Sequence, residues 1–400
     1  MTTSDFDLHI IGGGIIGLAA AVTLQARGVK VALLDANEVG QGASFGNAGH
    51  IATEQVFPIA DASMLRHVPA MLFDPTGPLR IDWRYLPRLM PWAMQLLMNM
   101  RPEPFERIHQ ALLNLNKNSL QAWQGFASQW QLGEWVQVKG SLLTAEKTSS
   151  VDSLIAHGSR LNDIGVANEL LTKEALLERE PALRDNQLAA LFFPDTGHIT
   201  NLKAVIHQLH HIFRQLGGHV IEHCHVLAAT NDIEGIHLTT SQGDMTASKV
   251  LLAAGAHSKA LAKQLTGMNV PLDTERGYHL MLPHESTRLQ IPVSSMDRRF
   301  IMTPMQAGLR LAGTVEYAGL DAPANMQRAH MLLQQAQPML KAELDITDSV
   351  PWMGFRPSTA DSLPVIDKIE RVFLSFGHQH LGLTQAVVSA QMIANYYFDE

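Results

Sequence analysis

The 400-residue sequence predicts an α/β fold in which a parallel sheet is interrupted by an α+β region built on an antiparallel sheet. Three observations carry that reading. A strand, a glycine turn, a helix and a second strand follow one another within the first 35 residues, the opening of a parallel sheet. A buried apolar strand, KVLLAAG, returns at Lys249 to Gly255. Helical insertions separate the two, and after them Arg299 to Gln306 and Leu309 to Tyr317 read as strands joined by a tight turn at Ala307 and Gly308, which requires antiparallel pairing.

Asp7 to Ile11 reads as a short buried strand that Gly12, Gly13 and Gly14 end. Ile15 to Ala26 has helical spacing and closes at Gly28, and Val29 to Leu34 is a second strand finishing at Asp35. From Phe57 to about Trp130 the pattern is helical, with Pro69, Pro75, Pro78, Pro87, Pro91, Pro102 and Pro104 expected to break it into short helices and loops. Trp135 to Ala145 and Leu188 to Phe193 read as strands, separated by polar helices at Val151 to Leu161 and Lys173 to Arg179. Asn201 is placed to cap a helix whose apolar Leu202, Val205, Ile206, Leu209, Phe213 and Leu216 share one face, with Gly217 and Gly218 closing it. Strands at His219 to Cys224, Val226 to Ala229, Ile236 to Thr240 and Lys249 to Ala253 follow, then a helix from His257 to Leu265.

Composition narrows the function. Thirty Lys and Arg against 38 Asp and Glu leave a formal charge of -8, the wrong sign for a nucleic-acid footprint. The single cysteine, Cys224, excludes an intrachain disulfide and points to a reducing, cytoplasmic compartment. No small-residue cleavage pattern follows Met1 to Asp7, which argues against a signal peptide. The most apolar stretch, Leu89 to Met100, is interrupted by Pro91, Gln95 and Asn99 and falls short of a membrane span.

Gly12, Gly14 and Gly17 form GxGxxG at the strand-to-helix junction, with Asp35 at the end of the second strand. The first glycine allows the tight turn, the second lets backbone approach a pyrophosphate, and the third lets helix pack on strand. The helix N-terminus at Ile15 and Ile16 offers free N–H groups to the anion, and the acid, followed by Ala36, accepts hydrogen bonds from a ribose diol. This is a Rossmann-like dinucleotide site, and to this point NAD and FAD are not separated. The next segment favours FAD: GQGASFGNAGHI, with Gly42, Ala43, Ser44, Asn47, Ala48, Gly49 and His50, packs small residues where backbone must run close to something flat and extended.

With that loop the chain resembles the D-amino-acid oxidase family of flavoproteins, which includes glycine and sarcosine oxidases and bacterial D-amino-acid dehydrogenase. The Gly-x-x-Ser stretch ending in Asn-Ala-Gly matches Gly40 to Gly49. KVLLAAGAHS, GFRPSTADSLPVI at Gly354 to Ile366 and GHQHLGLT at Gly377 to Thr384 are similar to its later motifs, although Asp367 stands where glycine is common. The Pro-interrupted segment Leu79 to Phe105 and GTVEY, Gly313 to Tyr317, bring it closest to the dehydrogenase branch. The resemblance implies a Rossmann-like FAD-binding domain of residues 1–56, 195–270 and 350–400, and a discontinuous α+β substrate-binding domain of residues 57–194 and 271–349. It implies cofactor contacts at Val226, Ala254, Gly255, Gly354, Arg356, Gly377, His378, His380, Leu381, Gly382, Leu383 and Thr384. It also implies noncovalent FAD, because Asn47 stands near the attaching histidine of some members and no cysteine lies late in the chain.

The activity implied is oxidation of a D-amino acid or a related secondary amine, such as a cyclic imino acid, by hydride transfer to flavin. Arg356 is the candidate for the substrate carboxylate, since a planar guanidinium accommodates two parallel hydrogen bonds and the resemblance places this position over the flavin. Tyr278 and Tyr317 are candidates to donate to the same carboxylate, or are interior aromatics with satisfied hydroxyls. His50 is a candidate to face the ring or substrate, or is structural. The helix following Gly377 to Thr384 is expected to aim its N-terminus at the flavin pyrimidine, with His378 and His380 assisting or holding the loop. The electron acceptor stays open between O2 and a quinone or electron-transfer protein, and a non-catalytic flavin-binding module is the rival reading. No metal is expected: His207 and His211 have i, i+4 spacing, but no HExxH glutamate accompanies them. Met90, Met94 and Met98, with Arg84, Arg88 and Arg101 nearby, form a stripe read as packing, with peripheral contact at the inner membrane or a quinone as the alternative.

Overall fold

The computed structural model describes residues 5–59, 77 and 79–399. Its first sheet has six strands in the order His219–Ile221, Val31–Leu34, Leu8–Ile11, Val250–Leu252, Val372–Phe376 and Val365–Ile369. The first five run parallel, and Val365–Ile369 closes the edge antiparallel to its neighbour. Every residue of Leu8–Ile11 and Val31–Leu34 is buried, as parallel strands are when both faces are covered. Leu8, Ile10, Val31 and Leu33 pack with the helices Ile15–Ala26, Leu202–Gln215 and Gly382–Phe398. Ile11, Ala32 and Leu34 face the other way, onto the helix Ser258–Thr266 and a three-stranded antiparallel sheet of Val226–Asn231, Ile236–Thr240 and Gly243–Ala247.

The last of those strands has no counterpart in the sequence reading. Its residues GDMTA have little strand preference of their own, and pairing with Ile236–Thr240 holds it. The expected cap is present: the Asn201 side-chain oxygen accepts from the Ala204 N–H at 2.9 Å.

The second sheet is led by Val350–Thr359, Leu272–Leu282, Gly308–Tyr317 and Phe300–Met305, and continues through Val293–Ser295, Ser141–Ala145, Ala189–Phe193 and Glu169–Thr172, with Leu79–Ile81 joined to Gly308–Tyr317. It is antiparallel except where Val293–Ser295 meets Ser141–Ala145 and where Leu79–Ile81 joins. The hairpin forms with Met305 paired to Gly308, so Gln306 and Ala307 make the turn. By sheet membership Val350–Thr359 runs with this sheet, while the sequence division groups residues 350–400 with the first. The expected strand Trp135 to Ala145 splits at Gly140, whose φ of 81° breaks the extended run. Its first part, Val136–Gln137, joins His50–Ile51 and Gly197–Ile199 in a small antiparallel sheet.

The helix Leu86–Asn99 passes through Pro91, where the sequence pattern predicts a break. Tertiary anchors hold it: Trp92 donates its indole N–H to the Ser358 carbonyl at 3.0 Å, and Asn99 donates to the Ala360 carbonyl at 2.9 Å. Pro87 and Pro102 sit in first turns, where no intrahelical N–H bond is lost. Pro69, Pro75 and Pro78 lie outside the described residues. Removing the Asn201 cap leaves an orphan N–H, so Asn201→Ala is expected to cost about 1 kcal/mol; urea unfolding monitored by circular dichroism checks this.

Candidate active site

The helix Ile15–Ala26 starts with no side-chain bond from Gly14 and no acid in its first turn, so its N-terminal dipole is open to an anion. A Cβ at Gly17 would lie 1.9 Å from the Gly12 carbonyl oxygen, and one at Gly12 would lie 2.4 Å from that of Ala253. Ser44 stands at the same helix end, accepting from the Ile15 N–H at 2.9 Å. Asp35 accepts from Gly13 and Asn37 N–H groups at 2.7 and 2.8 Å; burial outweighs these bonds and raises its pKa above the ordinary value. Its carbonyl accepts from Cys224 at 2.8 Å, which brings the start of Val226–Asn231 beside it. The Val226 side chain points into the core with Cys224, and Ala36 is exposed. Ala254 and Gly255 continue from the carbonyl that touches Gly12 and are half-buried.

The second glycine loop is held from the opposite sheet. Arg310 donates to the carbonyls of Phe45 and Asn47, and a ring nitrogen of His279 meets the Gly46 carbonyl at 3.0 Å. Trp352 stacks on His279 and covers Gly46 so closely that a Cβ there would lie 2.1 Å from the indole. Within the loop Asn47 accepts from Gly49, whose φ is 77°. Gly42 and Ala43 are exposed, while Asn47 and Ala48 are half-buried.

Gly377 to Leu381 is tied to the strand that carries Arg356, with Gln379 donating to the Pro357 carbonyl at 2.9 Å. The helix Gly382–Phe398 that follows has no side-chain cap and no acid in its first turn. Thr384 accepts from Ala52 N–H at 2.9 Å, and the Leu383 carbonyl accepts from the Trp123 indole at 2.7 Å. His378 is buried against the Ser389 hydroxyl at 2.9 Å, a structural role. His380 is exposed.

Arg356 stands opposite Glu275 in the pairing of Val350–Thr359 with Leu272–Leu282. Its guanidinium lies over Gly277, where a Cβ would come within 2.4 Å of Cζ. It donates to the Thr314 carbonyl at 3.1 Å, and burial lowers its pKa from the ordinary value. Alternation along the strand divides the two tyrosines. Tyr317 shares the face of Arg356 and donates to Glu275 Oε1 at 3.0 Å; burial, then Glu275, raises its pKa well above the usual value. Tyr278 points to the other face, buried in the second sheet's core, and donates to Glu316 Oε2 at 2.5 Å. The structure therefore brings Tyr317 to Arg356 and turns Tyr278 away. His50 is buried with Nε2 3.8 Å from Glu54. Burial, then His198 and His380, lowers His50 to about 3, and burial raises Glu54 to about 8.

Glu275, Gly277, His279, Arg310 and Glu54 were not singled out from the sequence. The signal available was the charged pair Glu275 and Arg276 inside an otherwise strand-like LDTERGYHLML. Among the described residues no group of three or more His, Cys, Asp or Glu gathers to hold a metal.

A dinucleotide cradle whose second glycine loop is held by a sheet face that carries Arg310 and Arg356 defines a dinucleotide-dependent oxidoreductase. Residues 7–396 match the FAD dependent oxidoreductase family (DAO), and the chain belongs to that family. Its cofactor is FAD, and the bare helix ends, the glycine contacts and Asp35 fit that group. The chain is 30% identical to a D-amino-acid oxidase of Bradyrhizobium diazoefficiens over 96% of its own length and 93% of the relative's. It is 26% identical to a D-amino acid dehydrogenase of Vibrio atlanticus, covering 97% of this chain and 95% of that one. Among solved structures, glycine oxidase from Geobacillus kaustophilus shares the fold with a TM-score of 0.74 at 22% identity, covering 98% of this chain and 94% of that one.

Two outcomes follow from this geometry. Gly277→Ala pushes the guanidinium aside, so reduction of bound flavin by substrate should weaken at least about tenfold, the counterpart of ~1.4 kcal/mol, with FAD content unchanged. The second concerns pH. His9 and His198 are lowered to about 4, and His50, His279 and His378 to about 3, in each case chiefly by burial. The unfolded chain takes up protons below about pH 6.5 that the folded chain refuses, so stability is full above that pH and is lost toward pH 4 to 3. Each such histidine contributes about 1.4 kcal/mol per pH unit in that window. Thermal melts of the FAD-loaded protein at pH 7 and pH 5 should show a lower Tm at pH 5.

Proposed function

We propose that the protein oxidises a D-amino acid, or a related secondary amine such as a cyclic imino acid, and passes the electrons to an acceptor other than oxygen. One observation carries the substrate side: Arg356 faces the flavin-binding loop side of the sheet with a single described hydrogen bond, from Nη1 to the Thr314 carbonyl. A guanidinium has five N–H donors, so the remaining ones suit a bidentate carboxylate. Bound FAD supplies the two-electron acceptor for the hydride of the substrate's α-carbon. Arg356 orients that carbon by its carboxylate, and Trp352 and His279 close the sheet side against the glycine loop. The Tyr317 hydroxyl, held by Glu275, forms the neighbouring wall. An imine product then hydrolyses to a keto acid where water can add.

We assign residues 1–56, 195–270 and 350–400 to FAD binding and residues 57–194 and 271–349 to the substrate side, with FAD held noncovalently. The dehydrogenase reading rests on the likeness to that branch, and the relative named D-amino-acid oxidase supports O2 as the alternative acceptor. No helix among the described residues is long and apolar enough to cross a membrane. Met90, Met94 and Met98 are 45%, 52% and 49% exposed, which leaves that face available for peripheral membrane contact or a quinone partner.

Arg356→Ala is expected to lose about 2 to 5 kcal/mol of substrate recognition while keeping FAD, measured as kcat/KM toward amino acids; unchanged efficiency rejects the role. Heat or acid should release yellow FAD into the supernatant, and colour retained by precipitated protein rejects noncovalent binding. Anaerobic bleaching by a panel of D-amino acids, D-proline analogues, glycine and sarcosine identifies the substrate. Slow recolouring in air supports the dehydrogenase reading, fast recolouring the oxidase, and no bleaching by any amine the non-catalytic one.

A further inference from the structure

The helix Leu86–Asn99 is apolar on the side it does not bury. Its inner side is already anchored. Leu89 and Trp92 are buried with Tyr317, the Trp92 and Tyr317 ring centroids lying 5.3 Å apart. The bond from the Trp92 indole to the Ser358 carbonyl fixes the helix to the strand that carries Arg356, and the Ser358 hydroxyl donates to Glu275 Oε1 at 2.7 Å. The outer side carries Met90, Met94, Leu97 and Met98, which at i, i+4, i+7 and i+8 form one row along the helix. Trp83, 58% exposed, precedes that row. A surface helix ordinarily turns polar groups to this side. Here every exposed residue from Trp83 to Arg101 is apolar except Arg84, Arg88 and Arg101. The nearest acids in sequence are Asp82 and Glu103, so three cations gather without an anion in a chain whose formal charge is -8. Arg84 and Arg88 stand at the N-terminal end of the row and Arg101 just past the other. None of the three has a salt-bridge partner among the described residues.

We infer that the segment from Trp83 to Arg101 docks the protein on an anionic phospholipid bilayer, with the helix lying flat in the interface. The inference rests on the reading of this face as open to peripheral contact and names the bilayer as its occupant. A contiguous apolar row on a convex helix, ended on both sides by cations, suits a lipid surface. The Met and Leu side chains enter the acyl boundary, Trp83 sits at headgroup level, and the guanidiniums pair with phosphates. The remainder of the chain is acidic and is repelled by the same surface, so this segment sets the docking orientation. The substrate side, where the helix packs on Tyr317, then lies toward the lipid.

The test is sedimentation of the FAD-loaded protein with phosphatidylcholine vesicles, with and without about one-third phosphatidylglycerol. The wild type should bind the phosphatidylglycerol vesicles at least about tenfold more tightly at low salt, a preference that about 0.5 M NaCl largely removes. Arg84→Gln combined with Arg88→Gln should lose most of that preference. Met94→Gln combined with Leu97→Gln should weaken binding to the phosphatidylglycerol vesicles at least about tenfold, with FAD content and circular dichroism confirming that each variant is folded. Sedimentation needs no turnover, so its outcome is independent of the role of Arg356. Equal binding to both kinds of vesicle overturns the anionic surface as the partner, and variants that bind like the wild type overturn the role of this segment. No binding to either kind overturns membrane contact at this face altogether. A wild-type dimer in light scattering that Met94→Gln with Leu97→Gln dissociates assigns the face to a second copy of the chain and overturns the bilayer as its occupant.

Discussion

The pairing register of the strand Leu272–Leu282 is the constraint on which the site depends. It bonds to Val350–Thr359 along one edge and to Gly308–Tyr317 along the other, so each site residue is placed by counting along three strands. Asp273, Glu275, Gly277 and His279 face the cofactor loop, while Arg276 and Tyr278 face the core. A slip by one residue would exchange the two sets, turning Glu275 and His279 toward the core and Tyr278 toward the loop. The network of Tyr317, Ser358 and Glu275, and the seat of Arg356 over Gly277, resist such a slip because each is formed between different strands.

The cofactor side is governed by another kind of closeness. Gly12, Gly17 and Ala253 bring the helix Ile15–Ala26, the strand Leu8–Ile11 and the strand Val250–Leu252 within a distance that no side chain could occupy. The helix end then has no acid of its own to neutralise it, and the C-terminal helix repeats the pattern at Gly382. With a set of histidines held neutral by burial, Arg356 and Arg310 are the fixed positive charges of that sheet face, Arg310 holding the glycine loop by its carbonyls.

What could be read from the sequence was what is local. GxGxxG, Asp35, the Asn201 cap and the hairpin of Phe300–Met305 with Gly308–Tyr317 each depend on residues close in the chain, and the parallel sheet followed from them. The site was legible only through its motifs: Arg356 was found, but Glu275 was not, because its meaning arises from a partner 81 residues away. Tyr278 and Tyr317 look alike in sequence and differ only by the face their strands turn. Pro91 misled for the same reason: its local cost is visible, whereas the bonds from Trp92 and Asn99 that hold the helix reach residues about 260 positions on.

Arg310 and His279 grip the second glycine loop by main-chain carbonyls alone, those of Phe45, Gly46 and Asn47. A grip on carbonyls does not read the identity of the side chains it holds. The loop is therefore free to vary in what it shows to the cofactor without loosening this grip, except at Gly46, where Trp352 leaves no room, and at Gly49, where a positive φ and the Met305 and Ile199 contacts leave none. Evolutionary freedom and mechanical restraint are thus separated: the restraint resides in two residues of a distant strand pair, and the freedom in the loop that touches the chemistry.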